Sequence, residues 1–321
     1  MGARPRGAGR PRRAGAGDAG APGPGAASLR RGGVNDEPTA DVARRLVADQ
    51  MPEWADLPVR TVGRQGNDNR TFRLGDELAV RLPSHERYVA GVAKEDHALP
   101  LIAGHVSVRV PEPVATGSPT AYFPHPWSVR RWTDGEHPDL DATLDRRRFA
   151  SDLGGFLREL REVPTDGGPV AGLHSFYRGC HVSVYGDQVQ ESLARLGDAV
   201  DTDACRAVWD RAVRTVWTGP SVWFHGDVAA GNLLTSDGSL SAVIDFGTCG
   251  VGDPACDLVV AWTFLETDER AVFREAAGLD DDTWDRGRGW ALWKAVRWLF
   301  DPDGDQAAHA ATLDRLLAGP A

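Results

Sequence analysis

The run His225-Gly226-Asp227-Val228-Ala229-Ala230-Gly231-Asn232 constrains the fold more than any other stretch of the chain. The apolar segment 222–227 reads as a strand that ends at Asp227, where a polar loop begins. Gly226 lets the backbone turn closely there. Asn232 opens a second strand, 232–235, and a third, 240–244, follows after the turn Ser236-Asp237-Gly238-Ser239. The third strand runs into Asp245-Phe246-Gly247. A hairpin returns its second strand beside its first. Asn232 and Asp245 are therefore expected side by side at one end of the hairpin, next to Asp227.

Two carboxylates and one amide oxygen are hard oxygen donors, which suit Mg²⁺ better than zinc. Magnesium keeps several waters and is usually completed by phosphate oxygens. With Asn232 and Asp245 as metal ligands, Asp227 is left nearest the open cleft to orient a hydroxyl and accept its proton. Phosphoryl transfer requires this set of parts.

The D-x-x-x-x-N and D-F-G layout matches the catalytic loop of protein kinases. The rest of that signature departs. The loop begins His-Gly-Asp, and no Ala-Pro-Glu follows; instead the chain reads Gly252-Asp253-Pro254-Ala255-Cys256-Asp257-Leu258. The ordered set HGDxxxxN, IDFG and GDPAxDL resembles the aminoglycoside phosphotransferase family, from about residue 36 to 320. The resemblance implies an α+β, two-lobed, protein-kinase-like fold with a β-rich N-terminal lobe and a helical C-terminal lobe. It implies an ATP-dependent (or GTP-dependent) enzyme that phosphorylates a hydroxyl of a small molecule. An aminoglycoside-like amino sugar is the first acceptor to expect. A macrolide, a metabolite alcohol of the homoserine or choline type, and a nucleotide-binding pseudokinase are the alternatives.

The family's functional residues carry over by position. Asp227 is the expected base, His225 a brace of its loop, Asn232 and Asp245 the Mg²⁺ ligands, and Asp257 a residue that holds the loop by hydrogen bonds. The family places a Lys on its third strand, paired with a Glu on the next helix. Here Arg81 stands at the Lys position, with Glu95 as the expected partner. Arg can hold phosphate bidentately, so the electrostatic role survives the change. The phosphate-covering loop is expected over 63–69, with Gly66, Asn67, Asp68 and Asn69. The stretch from Arg131 and Trp132 is expected to present backbone groups to the adenine. Cys249 lies near the motif with no sign of a thiol role.

The periodicity agrees with two lobes. Residues 39–50 read as a helix, 59–64, 70–74 and 78–82 as strands, 83–103 as a helix, and 106–114 and 121–132 as further strands. Residues 142–163, 187–196 and 203–217 read as helices, and everything after Pro254 is helical in pattern. The expected boundaries are a nucleotide-binding lobe over 36–132 and a catalytic, substrate-binding lobe over 133–321.

Composition bounds the remaining classes. No run approaches the ~20 apolar residues of a bilayer span, and four cysteines without a CxxC pair indicate reduced thiols and a cytoplasmic protein. His174, Cys180 and His181 lack the paired half that a zinc site needs. Residues 1–33 carry seven Arg against Asp18 alone, which leaves the remainder more acidic than the overall −10. That segment has almost nothing to bury and is expected to be disordered through about residue 35, with native translation starting near Val34. No nucleic-acid or membrane partner is expected, and the acidic folded part agrees with a cationic acceptor through long-range attraction and equally with simple solubility. The acids Glu266, Asp268, Glu269, Asp280, Asp281, Asp282 and Asp285 read mainly as solvated helix surface. Trp290, Trp293 and Arg297 recur at helical spacing and read as a buried face. Only two of the 36 basic residues are Lys, Lys94 and Lys294, a bias we read as a GC-rich genome's codon usage.

Overall fold

Strand-forming residues at period two dominate the first third of the chain, and they build one antiparallel sheet. A computed structural model describes residues 38–299, 301 and 305–318. The Arg-rich tail and the expected start near Val34 lie outside these residues. The sheet contains β1 (Val59–Thr61), β2 (Asn69–Leu74), β3 (Leu78–Pro83), β4 (Pro113–Gly117) and β5 (Trp127–Arg131), in the order β1-β2-β3-β5-β4. The turn from β2 to β3 uses Gly75 at φ +60°, a left-handed conformation that costs glycine little. One face of the sheet buries Phe72, Leu74, Val80, Leu82, Trp127 and Val129 against Ala43, Leu46 and Val47 of α1 (Ala40–Gln50). Thr39 caps α1, its hydroxyl accepting from the Val42 amide at 3.3 Å.

The helix expected from residue 83 begins later. Residues Glu86–Tyr88 form a 3-10 turn capped by His85, and α2 (Val89–Ala103) follows. Ala98, Leu99 and Ile102 of α2 belong to the core of the C-terminal half, so this helix ties the sheet to what comes after it.

The C-terminal half packs α3 (Arg146–Glu162), α4 (Gly186–Leu196), α5 (Thr202–Ala212), α6 (Val260–Thr263), α7 (Thr267–Ala277), α8 (Asp281–Trp298) and α9 (Gln306–Leu317). Between α5 and α6 lie two small antiparallel pairs. One joins β6 (Val222–Phe224) to β9 (Gly250–Gly252), and the other is the hairpin of β7 (Leu233–Ser236) and β8 (Ser239–Val243). Phe149, Leu153, Phe156, Leu157 and Leu160 of α3 are buried at helical spacing, each contributing about 2 kcal/mol through removal from water. The two-lobed α+β architecture expected from the motifs is what the chain adopts.

Several bounds differ from the sequence reading. The alternating segment 106–114 is not a sheet strand, and only Pro113–Gly117 joins β5. Val106, Val108 and Val110 instead pack against the C-terminal core, and the Val243 amide donates to Arg109 O at 2.9 Å. The alternation is real, but it serves the catalytic hairpin. The helix expected over 142–163 starts at Arg146 because Asp145 caps it, and the helix expected to 217 stops at Ala212. No helix among the described residues is long and apolar enough to cross a membrane.

Candidate active site

Asp227 follows β6 on a loop whose backbone is fixed from beneath. The buried Asp257 carboxylate accepts from the His225 amide at 2.8 Å and the Gly226 amide at 2.7 Å. Gly226 sits at φ +87°, and a Cβ there would lie 2.9 Å from Thr248 O, so glycine is required twice over. His225 is fully buried, and its Nδ1 accepts from the Asp227 amide at 3.1 Å. Its Nε2 therefore carries the proton and donates to Ile244 O at 3.0 Å. His225 thus braces Asp227 and ties that loop to the end of β8, with no contact to a reacting group.

The hairpin does bring Asn232 and Asp245 together. Asn232 closes a short 3-10 turn, Ala230–Asn232, and does not open the strand, which starts at Leu233. The Ile244 amide donates to Asn232 O at 2.8 Å, which places Asp245 beside Asn232. The Asn232 side-chain amide donates to Asp227 O at 2.9 Å and Asp227 Oδ2 at 3.1 Å. Those two donations orient the amide and leave its Oδ1 as the acceptor on the other side. Asp245 adopts φ +65° and ψ +69°, an uncommon backbone for a non-glycine residue and one that clusters at functional sites.

Arg81 of β3 reaches this cluster from the sheet. It donates to both oxygens of the buried Glu95 on α2, at 2.9 and 2.7 Å, and through its other nitrogen to Asp245 Oδ1 at 2.7 Å. Arg130 of β5 lies 3.5 Å from Glu95 on the same side. Burial pushes Glu95 up, but the two guanidiniums overcome it and hold the carboxyl below its ordinary range.

The loop before β2 contributes a carboxylate. Gly66 O accepts from the Arg70 guanidinium, Asn67 O accepts from the Ser84 hydroxyl at 2.5 Å, and Asn69 pairs with Pro83 in the sheet. Asp68 O accepts from the Ser84 amide at 2.9 Å. The Asp68 side chain faces Asp245, Asp227 and Tyr88, and burial followed by the repulsion of the two aspartates raises it to about 7. Arg81 lowers the Asp68 carboxyl without offsetting the burial and the two aspartates. Among the described residues no three His, Cys, Asp or Glu side chains form a metal cage. Magnesium needs none, since one or two carboxylates plus phosphate oxygens suffice. Asn232, Asp245 and the neighbouring Asp68 are therefore a donor set that fits Mg²⁺.

Arg131 and Trp132 lie at the end of β5, away from this cluster. Their backbone N–H groups already donate, to Glu112 O at 2.9 Å and Glu77 O at 2.7 Å. Of the backbone groups expected to face the adenine, these two N–H groups have intramolecular partners. The Arg131 side chain is half exposed beside Glu77, and the Trp132 ring lies under Arg73.

Three site residues had no signal in the motifs. Lys294 of α8 donates to Asp227 Oδ1 at 3.3 Å. Burial would push the Asp227 carboxyl up, but Lys294, then Arg178 and His225, bring it down to about 2. Lys94 donates to His174 O at 3.0 Å and has Cys249 and Asp68 nearby. Both lysines of the chain therefore stand at the site, although composition reads them as leftovers of codon bias. Burial pushes the Cys249 thiol up to about 12, which makes it inert.

Beside Asp227 lies a small recess, lined by Arg178, Val228, Cys256, Val259, Trp290, Trp293 and Lys294. Trp290 and Trp293 are buried as expected, and they also wall this recess. The acids read as helix surface are not among the lining residues. Glu266 pairs with Arg315, Glu269 with Arg146 and Asp281 with Arg274, and Asp280 caps α8.

The likeness to solved structures extends over most of the chain. APH(2")-IIia in its GDP and kanamycin complex matches with a TM-score of 0.65 at 20% identity, over 85% of this chain and 96% of that one. The macrolide 2'-phosphotransferase MphH from Brachybacterium faecium matches with a TM-score of 0.56 at 21% identity, over 88% and 99%. The streptomycin-ATP-APH(2")-IIa ternary complex matches with a TM-score of 0.55 at 16% identity, over 89% and 98%. No curated protein matches the sequence. The model of the phosphotransferase enzyme family matches residues 60–290, which include Arg81, Glu95, the Asp227 loop and the Asp245 hairpin. The chain belongs to the phosphotransferase enzyme family and is a small-molecule phosphotransferase with a kinase-like fold.

Proposed function

We propose that the chain transfers the γ-phosphate of ATP or GTP to a hydroxyl of a small molecule, with Asp227 orienting that hydroxyl. Asn232 and Asp245 would hold Mg²⁺, with Asp68 near enough to contribute. Bound with a nucleotide, the metal would bridge the phosphates and neutralise their charge. Arg81, held by Glu95, would meet the phosphates from the sheet side.

One observation carries the reading. The Asn232 amide nitrogen is pinned to Asp227 by two donations, so its oxygen is left for another partner while Asp227 Oδ1 meets Lys294. Metal donors and hydroxyl acceptor are thus separated by one rigid loop. With its carboxyl held at about 2, Asp227 is a weak base that suits a loose transition state, where positioning matters more than early proton removal.

Aminoglycoside-like amino sugars are the first acceptors to assay, with macrolides and metabolite alcohols beside them, because structures of similar fold carry aminoglycoside and macrolide phosphotransferase names. The test is magnesium-dependent ADP or GDP release across that panel. Turnover that disappears in Asp227→Ala supports the reading. Nucleotide binding with no turnover on any alcohol would refute it.

A further inference from the structure

The recess beside Asp227 is furnished with donors. Arg178 and Lys294 supply two cations, and Asp227 is the sole carboxylate among the lining residues. Lys294 is matched to Asp227 at 3.3 Å. Arg178 acts on the Asp227 carboxylate through its charge, with no hydrogen bond to a carboxylate among the described residues. It touches Phe176 O at 3.4 Å and lies 5.2 Å from the centre of the Trp293 ring. The indole N–H of Trp290, a residue only 2% exposed, also has no acceptor. His309 is close enough to feel the charges of Lys294, Asp305 and Asp301, and none of His309, Asp301 and Asp305 is part of the lining.

The loop that holds Arg178 is over-determined. Phe176 and Tyr177 take φ of +48° and +58°, and Gly179 follows at +81°. A Cβ at Gly179 would lie 2.0 Å from the Phe224 ring. Ser175 Oγ donates to Arg178 O at 2.8 Å, and Tyr185 OH donates to Phe176 O at 2.7 Å. Tyr185 in turn stacks on Trp293 at 4.1 Å. Two consecutive left-handed residues cost of order 1–3 kcal/mol each, a cost borne here where the Arg178 guanidinium is presented to the recess.

Accepting the kinase reading, we propose that the acceptor alcohol carries an anionic group, a carboxylate or a phosphate monoester, which Arg178 binds while the hydroxyl meets Asp227. A guanidinium engages either group through paired N–H donors. The apolar side chains of Val228, Val259, Cys256 and Trp293 cover the carbon skeleton between the two ends. An ammonium-rich amino sugar would instead bring like charge against Arg178 and Lys294 in a partly desolvated site, which costs binding energy.

The experiment uses the full chain with saturating Mg²⁺-ADP, so that the nucleotide site is filled. Melting temperature is read against short hydroxy acids, polyol monophosphates, the matching neutral polyols, and kanamycin. Phosphorylation of the same panel by Mg²⁺-ATP is measured beside it. The expected result is a stabilising shift and turnover with at least one anionic alcohol, at least tenfold better in kcat/KM than its neutral counterpart. Arg178→Ala should raise that acceptor's KM about 10- to 100-fold, at a cost set by one charge-assisted pair, and leave the KM for ATP within twofold. Arg178→Lys should recover part of the loss, which separates charge from folding. Turnover confined to neutral or ammonium-bearing alcohols, or no response to any anion, overturns the inference while the kinase reading stands on ADP binding and Asp227-dependent turnover. An equal rise in the KM for ATP in Arg178→Ala also overturns it, because Arg178 would then serve the transferred phosphate. Loss of ADP binding in the wild type would bring down the kinase reading instead.

Discussion

Arg81 on β3 and Asp245 after β8 are joined across the cleft at 2.7 Å, although 164 residues separate them in the chain. The contact gives Asp245 a cation on one side, and the same guanidinium is held in place by both oxygens of Glu95. One side chain thus fastens the sheet to the β7–β8 hairpin. A lysine, with a single ammonium, could not make this fork in the same geometry.

Removing Arg81 should therefore act on both folding and nucleotide binding. Arg81→Met leaves the buried Glu95 with Arg130 alone at 3.5 Å. We expect a loss of about 3 kcal/mol in urea unfolding, at the low end for breaking a buried pair because Arg130 remains. Arg81→Lys should recover most of the stability. In Arg81→Lys the KM for ATP should rise more than the KM for the acceptor, which initial-rate measurements would separate. Equal effects on both substrates would argue against a phosphate role.

Asp227→Asn keeps the shape of the loop and removes the charge that faces the recess. We expect kcat to fall about 10²- to 10⁴-fold, the range of general-base help. The melting-temperature rise produced by Mg²⁺-ADP should persist, since Asn232 and Asp245 are untouched. A variant that turned over within tenfold of the wild type would remove Asp227 from the chemistry.

The hairpin, the fold class and the cluster at Asp227 were legible because they rest on local order. An apolar run ends in Asp, a turn of known residues follows, and a second apolar run ends in Asp. Arg81 and Glu95 were legible through resemblance and spacing. Arg178 and Lys294 were not, because each is a single cation 49 and 67 residues from Asp227, and no periodicity marks a lone Arg on an irregular loop. Asp68 was read as part of a phosphate cover, yet its side chain faces the acidic cluster, a direction set by Ser84 capturing its backbone carbonyl. The segment 106–114 shows the same limit in the backbone. Alternation told which side chains are buried and could not tell that their partner was Val243 in place of a sheet strand.

Lys294→Met tests the electrostatics of the carboxylate proposed to orient the hydroxyl. In the folded protein the Asp227 carboxyl is depressed from 3.8 to about 2, with Lys294 the leading cause of the lowering. A depressed acid contributes stability above its unfolded pKa and loses it as pH falls through the folded one. The melting temperature of Lys294→Met should therefore lie below that of the wild type at pH 6, and the gap should narrow between about pH 4 and pH 2. The acid limb of kcat/KM should move to higher pH in the variant. An unchanged acid limb would show that Lys294 does not set the charge state of Asp227.

Asp68 has the opposite sign. Its carboxyl is raised from 3.8 to about 7, by burial first and then by Asp245 and Asp227. The folded protein therefore holds this proton more tightly than the unfolded chain, and the associated stability is present below pH 4 and lost as pH rises through 7. Without metal, Asp68→Asn should melt at a higher temperature than the wild type at pH 8, and the two should converge near pH 4. A cation beside Asp245 favours the ionised form, so Mg²⁺-ADP binding at pH 6 should expel a proton from the wild type. Titration calorimetry in two buffers of different ionisation enthalpy would count that proton, and it should diminish by pH 8 and be absent in Asp68→Asn. Equal proton release by the wild type and Asp68→Asn at pH 6 would place the exchanging group elsewhere in the cleft and leave Asp68 as a support for the β1–β2 loop.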